Sequence, residues 1–374
     1  MAKLCSMRLA AMDQASPYIH PPHVIPYSDR WFLSPNLPVA SSLHRASKMS
    51  AQGWVAEKYS ANDKPYRSRL KGVYKHRIDL SEGHPTWLEP AYTQFDTESC
   101  VANATAAAYR FLAYREGEEA RRPTILQPSR LFLYYNARIL PLLVDLVGEE
   151  HLQNAVDTMP ATQVPDVYDT GSENRDCFRA LNLFGVCDEH SWPFENVGHT
   201  DKIKNIDKQP KAELYREAKL SHAIEYCRLD PDHPEEMEKG MSDAERAAVG
   251  TVTLMQLKQC LTEGYPVVFG FWLYWDVEKL PWIESEGLAQ LPEVPKEQQH
   301  KGPPMRPNGN TMYGGHTVLA IGYDESRAQV LCQNSWGPEW SKNGKFWMPY
   351  SWILDWEATD DFWMIRLIER KRKE

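Results

Sequence analysis

The sequence predicts an α+β fold, a helical first half followed by a strand-rich second half, and three observations carry it. An alanine-rich run opens at Cys100 and is followed by further helix-period segments. Five short β-branched and aromatic runs, separated by Gly, Asn and Asp, fill the last third of the chain. Helical and strand segments do not alternate, which argues against a doubly wound parallel sheet. At 374 residues the chain exceeds the size of about 250 residues at which single cores stop growing, so one catalytic-size domain plus an extension is expected.

Residues 1–75 are expected to be a proline-rich extension. They contain HPPHVIPYSDRWFLSPNLPVASS and show little periodicity. His20 and His23 are separated by prolines and have no third ligand nearby, so they read as loop residues. Residues 76–374 form the expected main domain, with a helical part at about 95–195, a polar crossing at about 196–250 and a β part at about 251–370. In the helical part CVANATAAAYRFLAYREGEEA is small and apolar nearly all round in its first turns, which predicts a buried helix. PSRLFLYYNARILPLLVDLVG continues the helical material and is expected to break near Pro141. In NRDCFRALNLFGVC, Phe178, Leu181 and Phe184 form a helical stripe that Gly185 ends. The charged stretches TDKIKNIDKQPKAELYREAK and DPDHPEEMEKGMSDAER read as a surface crossing. TLMQLKQCLTEG then makes one more helix before the strands PVVFGFWLYW, HTVLAIGYD, AQVLCQNSWG, GKFWMPY and DFWMIRLIE. Asp360 and Asp361 read as a turn before the last of these.

Composition excludes several classes of function. A formal charge of −9 argues against a general nucleic-acid binder, which needs clustered Lys and Arg against phosphate. The basic tail IERKRKE reads as a solvated end. The longest apolar run, Gly264–Trp275, falls short of the roughly 20 residues a bilayer requires, so no membrane span is expected. MAKLCSMRLAAM lacks a sustained apolar core and a cleavage site, so no targeting signal is expected. Seven cysteines, an odd number without a C-x-x-C pair, point to a reducing compartment and a cytoplasmic location. The histidines form no H-E-x-x-H pattern or Cys/His cluster, so neither a metal nor another cofactor is expected. The sequon Asn103-Ala104-Thr105 sits in the predicted buried helix and is expected to be unused.

Three short stretches carry chemistry. In QFDTESCVAN, Cys100 stands at the mouth of the alanine-rich helix, where unpaired N–H groups lower a thiol pKa. In GGHTVLAIGYD, His316 opens a strand. In CQNSWGPEW, one hairpin later, Asn334 can orient an imidazole, and the indole of Trp336 can shield that bond from water. Gln-x₅-Cys at a helix start, Gly-His-x-Val on a strand and Asn-Ser-Trp-Gly on the next resemble the papain-like cysteine peptidases over roughly residues 76–370. The resemblance is nearest to the signal-free microbial branch through SRLFLYYNAR, GVCDEHSWPF, GYPVVFGFWLY and FWMPYSWILDWEATDDFWMI.

The resemblance implies a two-subdomain fold, with a helical half, an antiparallel barrel-like half and a cleft between them. It implies that Cys100 attacks a carbonyl, that His316 takes and returns the proton, and that Asn334 orients His316. The backbone N–H of Cys100 and the amide of Gln94 would form the oxyanion hole. Gly171 in DTGSENRD falls where the family pairs with substrate backbone, and Gly315 and Trp336 flank the same cleft. The chain departs from the family pattern at Phe95 and Glu98, where most relatives carry glycine. Both are candidate substrate-contacting residues, with Glu98 favouring a cationic substrate. Thr97 replaces a disulfide cysteine of secreted members. The proline-punctuated arm cannot form the long inhibitory helix of secreted relatives. Either the enzyme needs no zymogen control or the arm packs across the domain. The arm, Phe95 and the insertion at 283–310 are candidates for closing one end of the cleft.

The expected function is a thiol hydrolase cleaving a peptide or small amide through an acyl-enzyme. The alternatives are transfer of the acyl group to an amine and, third, a silent cleft-containing binding protein.

Overall fold

The computed structural model describes residues 53–56, 60, 62–70, 74–119, 127–158, 167–198, 200, 202–231, 241–273, 314–355 and 358–370. The arm up to residue 52, with His20 and His23, and the insertion at 283–310 lie outside the described residues. By its contacts the chain divides into Met1–Arg45 and Ala46–Glu374, and all described residues belong to the second unit.

The helical half comprises α1 (Cys100–Glu119), α2 (Arg130–Val147), α3 (Leu152–Thr158), α4 (Asn174–Leu183) and α5 (Ala212–Ala218). The other half is built on β1 (Arg77–Asp79), β2 (Ser221–Arg228), β3 (Val267–Leu273), β4 (Gly314–Asp324), β5 (Gln329–Gln333), β6 (Lys345–Pro349) and β7 (Thr359–Arg370). These strands form one antiparallel sheet in the order β2-β7-β3-β4-β5-β6, with β1 paired to β4. The helices α6 (Asp243–Thr262) and α7 (Tyr350–Leu354) complete this half.

Both faces of the sheet are covered, and the period-2 alternation of the strands explains how. Val268, Leu319 and Ile321 join α1 in one core cluster. Their neighbours Val267, Phe269, Val318 and Ala320 join Leu257, Cys260 and Leu261 of α6 in another. The small side chains of α1, Ala102, Ala106 and Ala107 among them, are buried and let its first turns sit close to the sheet.

Three expectations are corrected. α2 does not break at Pro141 but continues to Val147, ending at Gly148 with φ +77°. The cost of an interior proline, roughly 3 kcal/mol, is offset by burial of Leu140 and Leu143 on either side of it. The stretch 196–250 is not only a surface crossing: it holds α5, β2 and the start of α6, whose Ser242–Glu245 capping box fixes its first turn. Asp360 and Asp361 belong to β7 instead of a turn before it. Asp361 is fully buried with φ +59°.

Two buried arginines set the loop that leads into α1. Arg110 donates from Nε to the Trp87 carbonyl and from Nη2 to the carbonyls of Leu88 and Pro90. Arg130 binds Glu189 through Nη2 at 2.6 Å and donates to the Thr93 carbonyl at 3.2 Å. Both guanidinium groups lie over the ring of Tyr92, at 4.4 and 4.5 Å. The loop just ahead of Gln94 is therefore held by ionic and backbone bonds without regular structure.

Candidate active site

Cys100 is the first residue of α1 and is fully buried. Its sulfur accepts a hydrogen bond from the backbone N–H of Thr317, the residue after His316. The two halves of the chain meet at this contact. Burial pushes the thiol up to about 12. The N–H groups of Thr317, Val101 and Cys100 itself pull the other way, and the carboxylate of Glu98 adds to the rise.

His316 is also fully buried, on β4. Its Nε2 lies 2.7 Å from Oδ1 of Asn334. That oxygen also accepts the backbone N–H of Ser335 at 2.8 Å, which fixes which amide atom faces the ring. An oxygen can only accept, so Nε2 carries the proton and Nδ1 is left as the basic nitrogen. Nδ1 is buried and has no hydrogen-bond partner among the described residues. Trp336 stacks on the imidazole at 4.9 Å, and Phe271 meets it edge-on at 5.6 Å, so both walls of the ring are apolar. Burial lowers the imidazole to about 4 against the raising effect of the Asn334 bond. At neutral pH Cys100 is thus a thiol and His316 a neutral imidazole.

Gln94 lies on the neighbouring loop, buried. Its Nε2 donates to the Thr97 carbonyl at 2.7 Å, and its Oε1 accepts from the Ser335 hydroxyl at 2.7 Å. A primary amide has two N–H donors, so one remains to serve a ligand. Phe95 adopts φ +53°, a left-handed conformation that costs an L-residue about 1–2 kcal/mol. Its ring turns towards Leu131 and Ile203 and stacks with Phe194 at 6.5 Å, which compensates that strain. Glu98 is partly exposed, and its backbone N–H donates to Oδ1 of Asp169 at 3.0 Å.

On the opposite wall, Tyr134 holds the loop at 169–172. Its hydroxyl donates to Asp169 at 2.5 Å and accepts from the Gly171 N–H at 3.1 Å. Gly171 has φ +76°, and a Cβ there would lie 2.5 Å from the carbonyl oxygen of Gly53. Glycine is therefore required at this position on two counts.

Gly53 belongs to a segment of the arm that crosses the cleft. The N–H of Ser172 donates to Gly53 O at 3.0 Å, that of Val55 to Ser172 O at 3.2 Å and that of Trp54 to Gly315 O at 3.2 Å. A Cβ on Gly53 would lie 2.7 Å from the Cys100 sulfur. Residues 53–55 thus pack across the domain, directly over the thiol.

Comparison with known proteins bears on the family and the fold. No family model matches the chain. A peptidase C1-like protein of Acanthamoeba polyphaga mimivirus is 30% identical over 312 residues, covering 83% of this chain and 78% of its own. The chain belongs to the papain-like cysteine peptidases. Xylellain, a cysteine protease from Xylella fastidiosa, superposes with a TM-score of 0.59 at 26% identity, over 88% of this chain and all of its own. Procathepsin B of Trypanosoma congolense shares the fold, with a TM-score of 0.51 at 13% identity over 81% and 82% of the two chains. As a papain-like enzyme the chain is a thiol hydrolase with an α+β fold.

The structure joins His316 to Asn334 by a hydrogen bond and stacks Trp336 on the imidazole, places the Cys100 sulfur against the backbone of Thr317, the neighbour of His316, and links Gln94 to the Asn334 loop through Ser335. Gly171 and Gly315 face the arm segment. Phe95 instead faces a small apolar cluster. Sequence reasoning missed Gly53, Trp54 and Ser172, which make the backbone pairing, and Ser335, which links Gln94 to the Asn334 loop. Ser335 lies inside the Asn-Ser-Trp-Gly motif and could have been found there. Gly53 and Trp54 carry no local periodicity, and their partners lie more than a hundred residues away.

Proposed function

We propose that this papain-like peptidase cleaves peptide or amide bonds with Cys100 as nucleophile and His316 as its general base. The observation that carries the reading is the polarity of the imidazole. Asn334 holds Nε2–H, and the bare Nδ1 is the atom left to accept the thiol proton. On attack, sulfur bonds to the carbonyl carbon and the proton moves to Nδ1. As the C–N bond breaks, His316 returns that proton to the departing amine. Water, deprotonated by the same nitrogen, then displaces the thiol from the acyl-enzyme. The backbone N–H of Cys100 and the second N–H of Gln94 receive the negative oxygen in both halves. The reading includes a cytoplasmic, reducing location, supported by six free thiols among the described residues: Cys100, Cys177, Cys187, Cys227, Cys260 and Cys332. Mass spectrometry of the protein quenched during turnover tests the mechanism. An acyl group on Cys100 is expected, and an acyl group mapped to any other residue sinks the reading.

A further inference from the structure

Trp54 occupies a defined seat one residue removed from the sulfur. Gly53 lies against Cys100, and the next side chain enters the sheet. The indole fills space left by two glycines. A Cβ on Gly270 of β3 would come within 2.1 Å of it, and one on Gly315 of β4 within 2.4 Å. Trp272 lines the seat, its ring 4.9 Å from that of Trp54. At the base, Nε1 of Trp54 donates to Oδ2 of Asp361 at 2.9 Å. The other oxygen of that carboxylate faces Nη2 of Arg228 at 3.2 Å.

The bonds that hold residues 53–55 to Ser172 and Gly315 use backbone atoms only. Any extended peptide can make them. What distinguishes one peptide from another at this place is the side chain in the seat. We propose that the seat filled by Trp54 is the pocket that selects substrate once the arm leaves, and that it takes tryptophan. The inference rests on the reading of Cys100 as nucleophile.

The chemistry favours an indole over its rivals. A phenyl ring fills the slot but brings no donor to Asp361. An aliphatic side chain does neither. An arginine donates to the acidic base as well, but its narrow stem leaves the slot opened by Gly270 and Gly315 underfilled. A flat apolar ring with one N–H at its edge satisfies both the glycine-lined walls and the acidic base.

The test uses the full chain with the arm released in two ways. Trp54→Ala empties the seat. Gly53→Val leaves Trp54 in place but sets a side chain where Glu98 O and the sulfur lie 2.3 and 2.7 Å away, and it carries the test if the first variant does not fold. Internally quenched peptides differ only in Trp, Phe, Leu or Arg at each position within two residues of the cut. At one position Trp is expected to exceed Phe in kcat/KM by about tenfold, the value of one hydrogen bond to a charged group. Adding Gly270→Val, which fills the place of the indole, is expected to erase that preference. A rank order with Phe, Leu or Arg equal to or above Trp overturns the proposal, as does a Trp preference that survives Gly270→Val. If no peptide is cut by any variant, the nucleophile reading fails, and the seat is judged by calorimetry on Cys100→Ser/Trp54→Ala. Tighter binding of the Trp peptide than the Phe peptide supports the seat, and equal binding overturns it.

Discussion

Two buried polar clusters lie on either side of Trp54, and they solve burial in opposite ways. In the first, Cys100 and His316 are fully buried, the Glu98 carboxylate further opposes charge on the thiol, and both are driven to their uncharged forms. In the second, Arg228 pairs with Asp230 at 2.5 Å, with Asp360 and Asp361 at 3.2 Å each and with Asp63 at 3.6 Å. Asp63 also pairs with Arg175 at 2.8 Å. The three carboxylates of Asp230, Asp360 and Asp361 lie within 4.8 Å of one another, and the guanidinium of Arg228 reaches all three. Desolvation penalises a charge in either place, but only the second cluster supplies counter-charges to offset it. The difference teaches that Cys100 and His316 are uncharged because they are buried, whereas the network is ionic because it is paired.

Substitutions can break or sharpen that contrast. The largest effect is expected for Cys100→Ser, which should lower peptide hydrolysis by at least about 10⁴-fold, as removal of a nucleophile does elsewhere. Steady-state assays check it. Arg228→Met should strand the carboxylates around it and cost about 3–5 kcal/mol in urea unfolding. Gln94→Ala should reduce kcat by about 10²–10³-fold with a smaller change in KM. Iodoacetamide labelling of Cys100 then probes the cover. Only the thiolate reacts, so a thiol held near 12 should label slowly at pH 7 and keep accelerating as the pH rises past 9. In Trp54→Ala, water returns, the thiol pKa falls, and labelling at pH 7 should rise on the order of tenfold; identical pH profiles would contradict the covering role. The smallest effect is expected for Cys100→Ala on stability, below about 1 kcal/mol, because no charge is left unpaired. A loss as large as that of Arg228→Met would erase the distinction between the clusters.

Much of this was legible in the sequence, and the limits have physical causes. The helical half, the five strand runs and the stripe ended by Gly185 follow from hydrophobic period and turn residues, which are local. Cys100, His316 and Asn334 stood out because each sits at the end of a regular element within a recognisable motif. β2 was obscured because SHAIEYCR lies between charged stretches and pairs at the sheet edge, through bulges, with β7. The start of α6 was missed although Ser242 and Glu245 show the S-x-x-E pattern. Gly53 and Trp54 were unreadable for a different reason. Their role comes from bonds to Ser172, Gly315 and Asp361, and no window of neighbouring residues contains those partners.

The arm segment that lies on Cys100 is covalently part of the chain whose cleft it fills. A ligand tethered in this manner competes at an effective concentration that, for a short flexible connection, is on the order of millimolar. Diluting the protein therefore leaves the cleft as full as before. A free peptide gains entry only when its own concentration, weighed by its affinity, outcompetes that built-in rival, so weakly bound peptides are shut out. Cutting the backbone between the arm and the domain would replace a fixed occupancy with one that declines as the cut fragment diffuses away.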